Sequence, residues 1–138
     1  MISLRPVQTS GIPQLCDELG KQDAFKRAFP LIMRGTFQNS VPSGHQIHLG
    51  KDVAGYLLEI NPTTAMRAYG DTESLLMIFP GQQRQGIGTQ VLDLILEDKK
   101  QTFFVSSKSN LASTAFFQKQ PGLKLLGETD RYRVYSRT

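Results

Sequence analysis

The chain has 138 residues, of which 39% are apolar and 20% charged, and these proportions exclude a disordered or fibrous protein. At this length we expect one domain spanning residues 1–138. The longest apolar run, Leu75–Phe79, has five residues, against the about 20 that a membrane-spanning helix needs. Because the N-terminus also shows no secretory signal, we expect a cytoplasmic protein without membrane contact.

The distribution of charge indicates possible partners, and the cysteine and histidines bear on disulfide formation and metal binding. The net charge is +4, and residues 81–138 carry 9 Lys/Arg against 5 Asp/Glu, a bias that attracts either cofactor phosphates or a nucleic acid. A solvated surface is the favoured explanation of so modest a charge. The single cysteine, Cys16, cannot form an internal disulfide, and His45 and His48 fall on opposite faces of a strand, so we expect no metal site.

The first half of the chain predicts one strand, two helices and a β-hairpin. Alternation of apolar and polar residues predicts a strand over 2–7, and helical spacing of apolar residues predicts helices over 12–19 and from about 23. Apolar runs on either side of a tight turn at 50–52 predict the hairpin, with strands over 45–49 and 53–60.

The second half alternates strands with helices. The predicted elements are a strand over 73–79, a helix over 86–100, a strand over 102–105, a helix capped by Ser109 or Asn110, and strands over 123–127 and 132–136. This order predicts a mixed α/β or α+β layer structure.

The most informative segment is the loop between the strand at 73–79 and the following helix. It is rich in glycine and amide side chains, and the helix opens at Gly86–Gly88. Unpaired N–H groups at a helix start bind phosphate or pyrophosphate, and glycine lets the anion approach the backbone. Arg84 could add a charge-assisted contact. An ordinary strand-to-helix turn would show the same glycine spacing.

Two other phosphate-binding loops are excluded on these residues. A Walker loop requires a lysine directly after its second glycine, where this sequence has Ile87. A Rossmann turn requires a third glycine, where this sequence has Val91.

Two motifs occur in order in the second half of the chain. The first is Gln83-x-x-Gly86-x-Gly88 after the strand Leu76-x-Ile78-x-Pro80, and the second is Asn110-x-x-Ser113-x-x-Phe116-Phe117-x-Lys119. Together they resemble the GNAT superfamily, the acetyl-CoA-dependent N-acetyltransferases. The resemblance covers residues 73–128 and, less closely, the hairpin at 45–60. It implies an α/β (α+β) fold with a mixed, mostly antiparallel central sheet of six to seven strands flanked by about four helices.

The resemblance also implies acetyl-CoA as cosubstrate and names the residues that would bind it. The backbone of Ile78 and Phe79 would pair with the pantetheine arm in a gap between splayed strands, and Asn110 would hold the arm from the other side. Phe117 would flank the thioester. The pyrophosphate would bind the loop and helix start, at Gln83, Arg84, Gln85, Gly86, Ile87, Gly88 and Thr89.

The implied reaction is direct attack of a neutral amine on the acetyl carbonyl, and its proton transfers need an acid and a base. Where the family commonly has a tyrosine as general acid, this chain has Phe117. Water, Ser113 or another tyrosine could donate instead; Tyr132 and Tyr135 are the candidate tyrosines, although both are expected to pack in the sheet. Glu73 and Glu59, at the ends of neighbouring strands, are the carboxylates best placed to bind or deprotonate the ammonium, unless each is only a solvated strand end.

The sequence therefore predicts an N-acetyltransferase whose partners are a CoA ester and a primary amine, on a small molecule or a protein; a homodimer is possible. Two alternatives stay open. One is a GNAT-fold CoA-binding regulatory module, in which Phe117 marks weakened catalysis. The other is a toxin-like acetyltransferase acting on aminoacyl-tRNA, suggested by Arg131, Arg133 and Arg137, although nucleic acid is the less favoured partner.

Overall fold

The computed structural model describes residues 2–21, 23, 43–62, 64–78, 86–98 and 102–137. Within these ranges lie seven strands and three α-helices: β1 (Ile2–Pro6), α1 (Ile12–Gly20), β2 (Ser43–Leu49), β3 (Asp52–Ile60), β4 (Thr72–Ile78), α2 (Ile87–Asp98), β5 (Thr102–Ser107), α3 (Leu111–Gln118), β6 (Leu123–Glu128) and β7 (Tyr132–Arg137). Short 3-10 turns occupy Thr9–Gly11 and Thr64–Tyr69. The helix predicted from about residue 23 lies, beyond its first residue, outside the described ranges.

All seven of these strands belong to one sheet, in the order β1-β2-β3-β4-β5-β7-β6. Neighbouring strands are antiparallel except β4 and β5, which run parallel because α2 connects them. The predicted α+β class and the mostly antiparallel central sheet are thus confirmed. None of the helices in the described ranges is long and apolar enough to cross a bilayer.

The parallel pair β4–β5 is joined only at its beginning. The paired residues are Thr72 with Thr102 and Glu73 with Phe103, although β4 continues to Ile78 and β5 to Ser107. The two strands therefore part in the middle of the sheet. From Ser74 to Met77, the edge of β4 that faces β5 has no strand partner among the described residues.

The sheet has an apolar core on each face. On one face, α1 buries Leu15 and Leu19 against residues of β3 and β4, including Leu58 and Leu75. On the other face, α2 and α3 bury a larger cluster: Ile47, Ala54, Leu57, Ile87, Val91, Leu92, Ile95, Leu96, Phe104, Phe117, Leu123 and Tyr135. Because side chains alternate along a strand, these two clusters assign the residues of β4 and of β3 from Tyr56 to Ile60 to a face, whereas the register shift opposite Ala54 interrupts the alternation earlier in β3.

One glycine brings β3 and β4 close together near the end of β4. Gly55 is opposite Ile78, and a Cβ at Gly55 would overlap the backbone carbonyl of Met77. No other residue fits without moving β4. Gly55 therefore sets the position of the β4 segment that lies beside the gap.

Candidate functional site

The start of α2 packs with the strands that border the gap, because Ile87 shares a buried cluster with Phe104 of β5, and Ile78 of β4 packs against that cluster. Gly86, the residue before the helix, is exposed and has a φ of 74°, a left-handed conformation that glycine adopts without strain. The amide of Gln90 donates to the carbonyl of Gly86 at 3.2 Å, so the helical hydrogen bonds begin there. The N–H groups of the first turn have no partner within a helix and are available to an anion. The predicted loop residues Phe79, Gln83, Arg84 and Gln85 lie outside the described ranges.

Gly88, in the first turn of α2, allows this helix to touch α3. A Cβ at Gly88 would lie 2.9 Å from two ring atoms of Phe116. The ring therefore packs directly against the backbone of the helix start. This glycine serves the contact between two helices, a role that the loop motif alone does not reveal.

Asn110 is the N-cap of α3. Its Oδ1 accepts a hydrogen bond from the backbone N–H of Ser113 at 3.1 Å, which confirms one of the two predicted caps. Its structural role is therefore to begin the helix that carries Phe116 and Phe117.

Phe117 is the centre of an aromatic cluster on the α2–α3 face. Its ring centroid lies 5.3 Å from Phe116, 5.5 Å from Phe104 and 5.3 Å from Tyr135, and the last pair is stacked at 27°. Phe117 is 6% exposed. The residue that replaces the expected tyrosine is therefore a packing residue that holds the ring of Tyr135.

Two hydroxyl groups hold β4 and β5 together where the strands part. Ser74 on β4 and Thr102 on β5 share a short hydrogen bond between their side-chain oxygens, and both residues are buried. The Thr102 hydroxyl also donates to the backbone carbonyl of Thr72 at 3.4 Å. No local pattern predicts this contact, because the two residues are 28 positions apart in sequence.

Glu73 is a buried carboxyl at the point where β4 and β5 part, on the face of the sheet that carries α1. It is opposite Ile60 on β3 and beside Phe103 on β5, the last pair before the strands part. Glu73 is 8% exposed, and burial raises its pKa to about 7. A low-dielectric environment favours the neutral carboxylic acid over the carboxylate. This group therefore changes its charge near neutral pH.

Glu59, the second carboxylate candidate, lies on the other face of the sheet. Glu59 on β3 is paired with Ser74 on β4. The next pair along the strands, Ile60 and Glu73, points towards α1, so Glu59 and Ser74 point away from α1. Glu59 is half-buried. The structure therefore does not bring the two predicted carboxylates together.

The basic cluster near the C-terminus is partly neutralised. Glu128 on β6 accepts a hydrogen bond from Nε of Arg133 at 3.1 Å and forms an ion pair with Lys108 at 3.6 Å. The hydrogen bond from Arg133 is the largest cause that lowers the pKa of Glu128, followed by the charge of Lys108. Two of the cations in this region are therefore engaged by a carboxylate.

The histidines do not form a shared site. His45 pairs with Leu57, which belongs to the α2–α3 face, whereas His48 bonds Gln46, whose partner Tyr56 belongs to the α1 face. Among the residues that the structure describes, no group of three His, Cys, Asp or Glu could hold a metal ion.

Comparison with known proteins identifies the fold. No family model matches this sequence, and no curated protein is significantly similar to it. Solved structures do match. An acetyltransferase from Thermus thermophilus superimposes with a TM-score of 0.62 at 20% identity, covering 98% of this chain and 95% of that one.

Two further structures agree with this result. The spermidine N-acetyltransferase from Vibrio cholerae, solved with CoA and spermine, has a TM-score of 0.64 at 12% identity and covers 99% and 95% of the two chains. An acetyltransferase of the GNAT family from Streptococcus pneumoniae has a TM-score of 0.64 at 12% identity, with 98% of each chain covered. The chain therefore has the fold of the GNAT acetyltransferases.

Proposed function

We propose that this protein is a GNAT-type N-acetyltransferase that transfers the acetyl group of acetyl-CoA to a primary amine by direct attack. The observation that carries the proposal is the parting of β4 from β5 beyond Glu73 and Phe103, on a sheet whose core cluster also buries Ile87, the first residue of α2. An extended ligand can pair with the free strand edge, while its anionic end meets the helix N-terminus. Pantetheine linked to a pyrophosphate has this shape and this charge.

The residues available at each end suit the two parts of this cosubstrate. The amides of Ile87, Gly88 and Thr89 would bind the pyrophosphate, together with Gly86, whose surroundings leave room for an anion. The loop residues Gln83, Arg84 and Gln85 would complete that site, and the backbone of β4 up to Ile78 and Phe79 would pair with the pantetheine arm. Asn110 and Phe117 would border the arm from α3.

Glu73 is the carboxyl that we assign as the base. An alkyl ammonium with a pKa near 10.4 must lose a proton before it attacks, and a base with a pKa close to the working pH is the most effective acceptor. The pKa of about 7 meets this condition, and Glu73 lies where the strands part. Glu59 lies on the opposite face of the sheet. There it could bind an ammonium group, but it could not act at the same place as Glu73.

The amine acceptor is proposed only by its chemical class, a primary amine. The Vibrio cholerae neighbour was solved with spermine, which supports a polyamine as the first acceptor to test. The regulatory-module alternative keeps one supporting observation, because Phe117 is buried packing where a proton donor is expected. The aminoacyl-tRNA alternative loses support from the pairing of Arg133 and Lys108 with Glu128.

The experiment measures CoA affinity by titration calorimetry and thiol release from acetyl-CoA with spermine, spermidine, a lysine peptide and an aminoacyl-tRNA. Tight CoA binding with turnover of an amine is the expected result. CoA binding without turnover of any amine would favour the regulatory module. Turnover of the tRNA alone, with affinity falling steeply as salt rises, would favour the second alternative.

One variant tests the pyrophosphate site directly. Thr89 is exposed in the first turn of α2, where a carboxylate favours the helix but repels a phosphate. We expect Thr89→Glu to stay folded and to weaken CoA binding by about tenfold, the effect of like charges at close range near a surface. Gln118→Glu adds the same charge at an exposed position on α3 and should leave affinity unchanged. Equal CoA affinities in the two variants would contradict the assignment.

A further inference from the structure

Tyr135 on β7 carries a buried polar group without a partner. The residue is 2% exposed, and its hydroxyl has no hydrogen-bond partner among the residues that the structure describes. Burying a hydroxyl without a hydrogen bond costs free energy, so each such group calls for an explanation, of which a catalytic role is one. The ring of Tyr135 is held in place by Phe117, stacked at 5.3 Å. The hydroxyl therefore sits on a held ring with unused hydrogen-bonding capacity.

The position of Tyr135 in the sheet brings it to the level where β4 and β5 part. Tyr135 is opposite Phe104 in the β5–β7 pairing. Phe104 directly follows Phe103, the last residue of β5 that pairs with β4. Tyr135 is therefore one strand away from the gap, on the face that carries α2 and α3.

A continuous series of aromatic contacts joins this tyrosine to the start of α2. The ring of Phe116 touches the helix start at Gly88. Phe116 contacts Phe117 at 5.3 Å, and Phe117 contacts Tyr135 at the same centroid distance. A ligand anchored by its anionic end at the helix start and extended into the gap would run along the face that carries these rings. Its far end, the thioester, would then lie on the same face as the hydroxyl of Tyr135.

We propose that the hydroxyl of Tyr135 hydrogen-bonds the thioester sulfur and protonates the leaving thiolate, the task that Phe117 cannot perform. This inference rests on the proposed function. The amine nitrogen bonds to the acetyl carbon, and the C–S bond breaks with its electron pair remaining on sulfur. Sulfur takes the proton of Tyr135, while Glu73 on the opposite face, having first passed the proton of the ammonium to solvent, takes the surplus proton that the nitrogen carries after the attack. Solvent then reprotonates Tyr135 and receives the proton of Glu73, so the products are an amide and the CoA thiol.

The test uses CoA itself and needs no knowledge of the acceptor. The thiol pKa of CoA bound to the protein is measured from the ultraviolet absorbance of the thiolate as pH is raised. A hydrogen bond from Tyr135 stabilises the thiolate, so we expect Tyr135→Phe to raise this thiol pKa by about one pH unit or more. Tyr132→Phe is the matched control, because Tyr132 lies on the same strand but faces the other side of the sheet, and it should change nothing.

Three further measurements exclude a merely structural effect. The melting temperature of Tyr135→Phe should equal or exceed that of the wild type, because the deleted hydroxyl has no partner among the described residues. The double variant Tyr135→Phe/Phe117→Tyr places a hydroxyl on the stacked neighbouring ring and should lower the thiol pKa again. With an acceptor amine, Tyr135→Phe should lower kcat on the order of 10²-fold at unchanged CoA affinity.

The outcomes separate the two proposals. If the wild type binds CoA and Tyr135→Phe leaves both the thiol pKa and kcat unchanged, the role of Tyr135 is overturned and the proposed function stands. If the wild type does not bind CoA, the proposed function fails, and the role of Tyr135 fails with it.

Discussion

The burial of Glu73 predicts how the stability of this protein depends on pH, whatever reaction it performs. Its pKa rises from the ordinary value of 4.5 to about 7 because the carboxyl is buried. Between these two pH values the folded protein binds a proton that the unfolded chain releases, so stability falls as pH rises. The difference of about 2.5 pH units corresponds to about 3 kcal/mol of unfolding free energy at 1.36 kcal/mol per unit.

Glu73→Gln removes this titration and retains a neutral side chain of similar shape. We expect the variant and the wild type to be equally stable below about pH 4.5. Above pH 7 the variant should be more stable by about 3 kcal/mol, because the wild type then carries a buried carboxylate. Urea unfolding at pH 4.5, 5.5, 6.5 and 8 in one buffer system and at constant ionic strength measures the difference.

The control for this series is Glu97→Gln. Glu97 lies on the exposed side of α2, so the same loss of charge occurs where water solvates the carboxylate. We expect a stability change well under that of Glu73→Gln at pH 8. A Glu73→Gln effect of the same size at pH 4.5 and pH 8 would refute the reasoning, because it would show that the effect does not arise from titration of the buried carboxyl.

The remaining predictions concern the structure around the gap. Gly55→Ala should destabilise the protein by about 2–3 kcal/mol, since the new methyl group overlaps the carbonyl of Met77, and denaturant unfolding would measure it; a neutral effect would contradict the close approach of β3 and β4. Ser106→Ala should cost about 1–2 kcal/mol, since the buried Ser106 hydroxyl bonds the Thr114 hydroxyl at 3.1 Å and its loss leaves Thr114 unpaired. Replacing both residues, Ser106→Ala with Thr114→Val, should cost less than the sum of the single changes, and strict additivity would show that the two hydroxyls are not coupled.

The elements predicted from sequence are those whose signal is local. The apolar spacing of Val91, Leu92 and Ile95 predicts α2, and the structure buries these residues against the sheet. The cap at Asn110 follows from the preference of asparagine for the position before a helix. Both features depend on residues within one or two helical turns of each other, so the chain itself contains the information.

The features that define the site depend on pairs that are distant in sequence. The opposite placement of Glu59 and Glu73 follows from the register in which Ile60 faces Glu73, and no local pattern encodes that register. The parting of β4 and β5 depends on which residues of two strands about 30 positions apart form pairs. Strand alternation could place Tyr135 in the core, but only the folded structure reveals that its hydroxyl lacks a partner among the described residues.

The parting of the strands also explains why an acid and a base need not compete for one position. A residue of a continuous sheet reaches only the face to which its side chain points. In the proposed mechanism, a ligand in the gap where β4 leaves β5 would lie between the two faces of the sheet. Glu73 approaches this level from the α1 face and Tyr135 from the α2–α3 face, with Ser74 and Thr102 holding the strands together directly beneath. Proton removal from the nucleophile and proton delivery to the leaving group can therefore occur on opposite sides of the same thioester. The replacement of the expected tyrosine by Phe117 is compatible with the proposed catalysis, because Phe117 stacks on Tyr135, the proposed donor on β7.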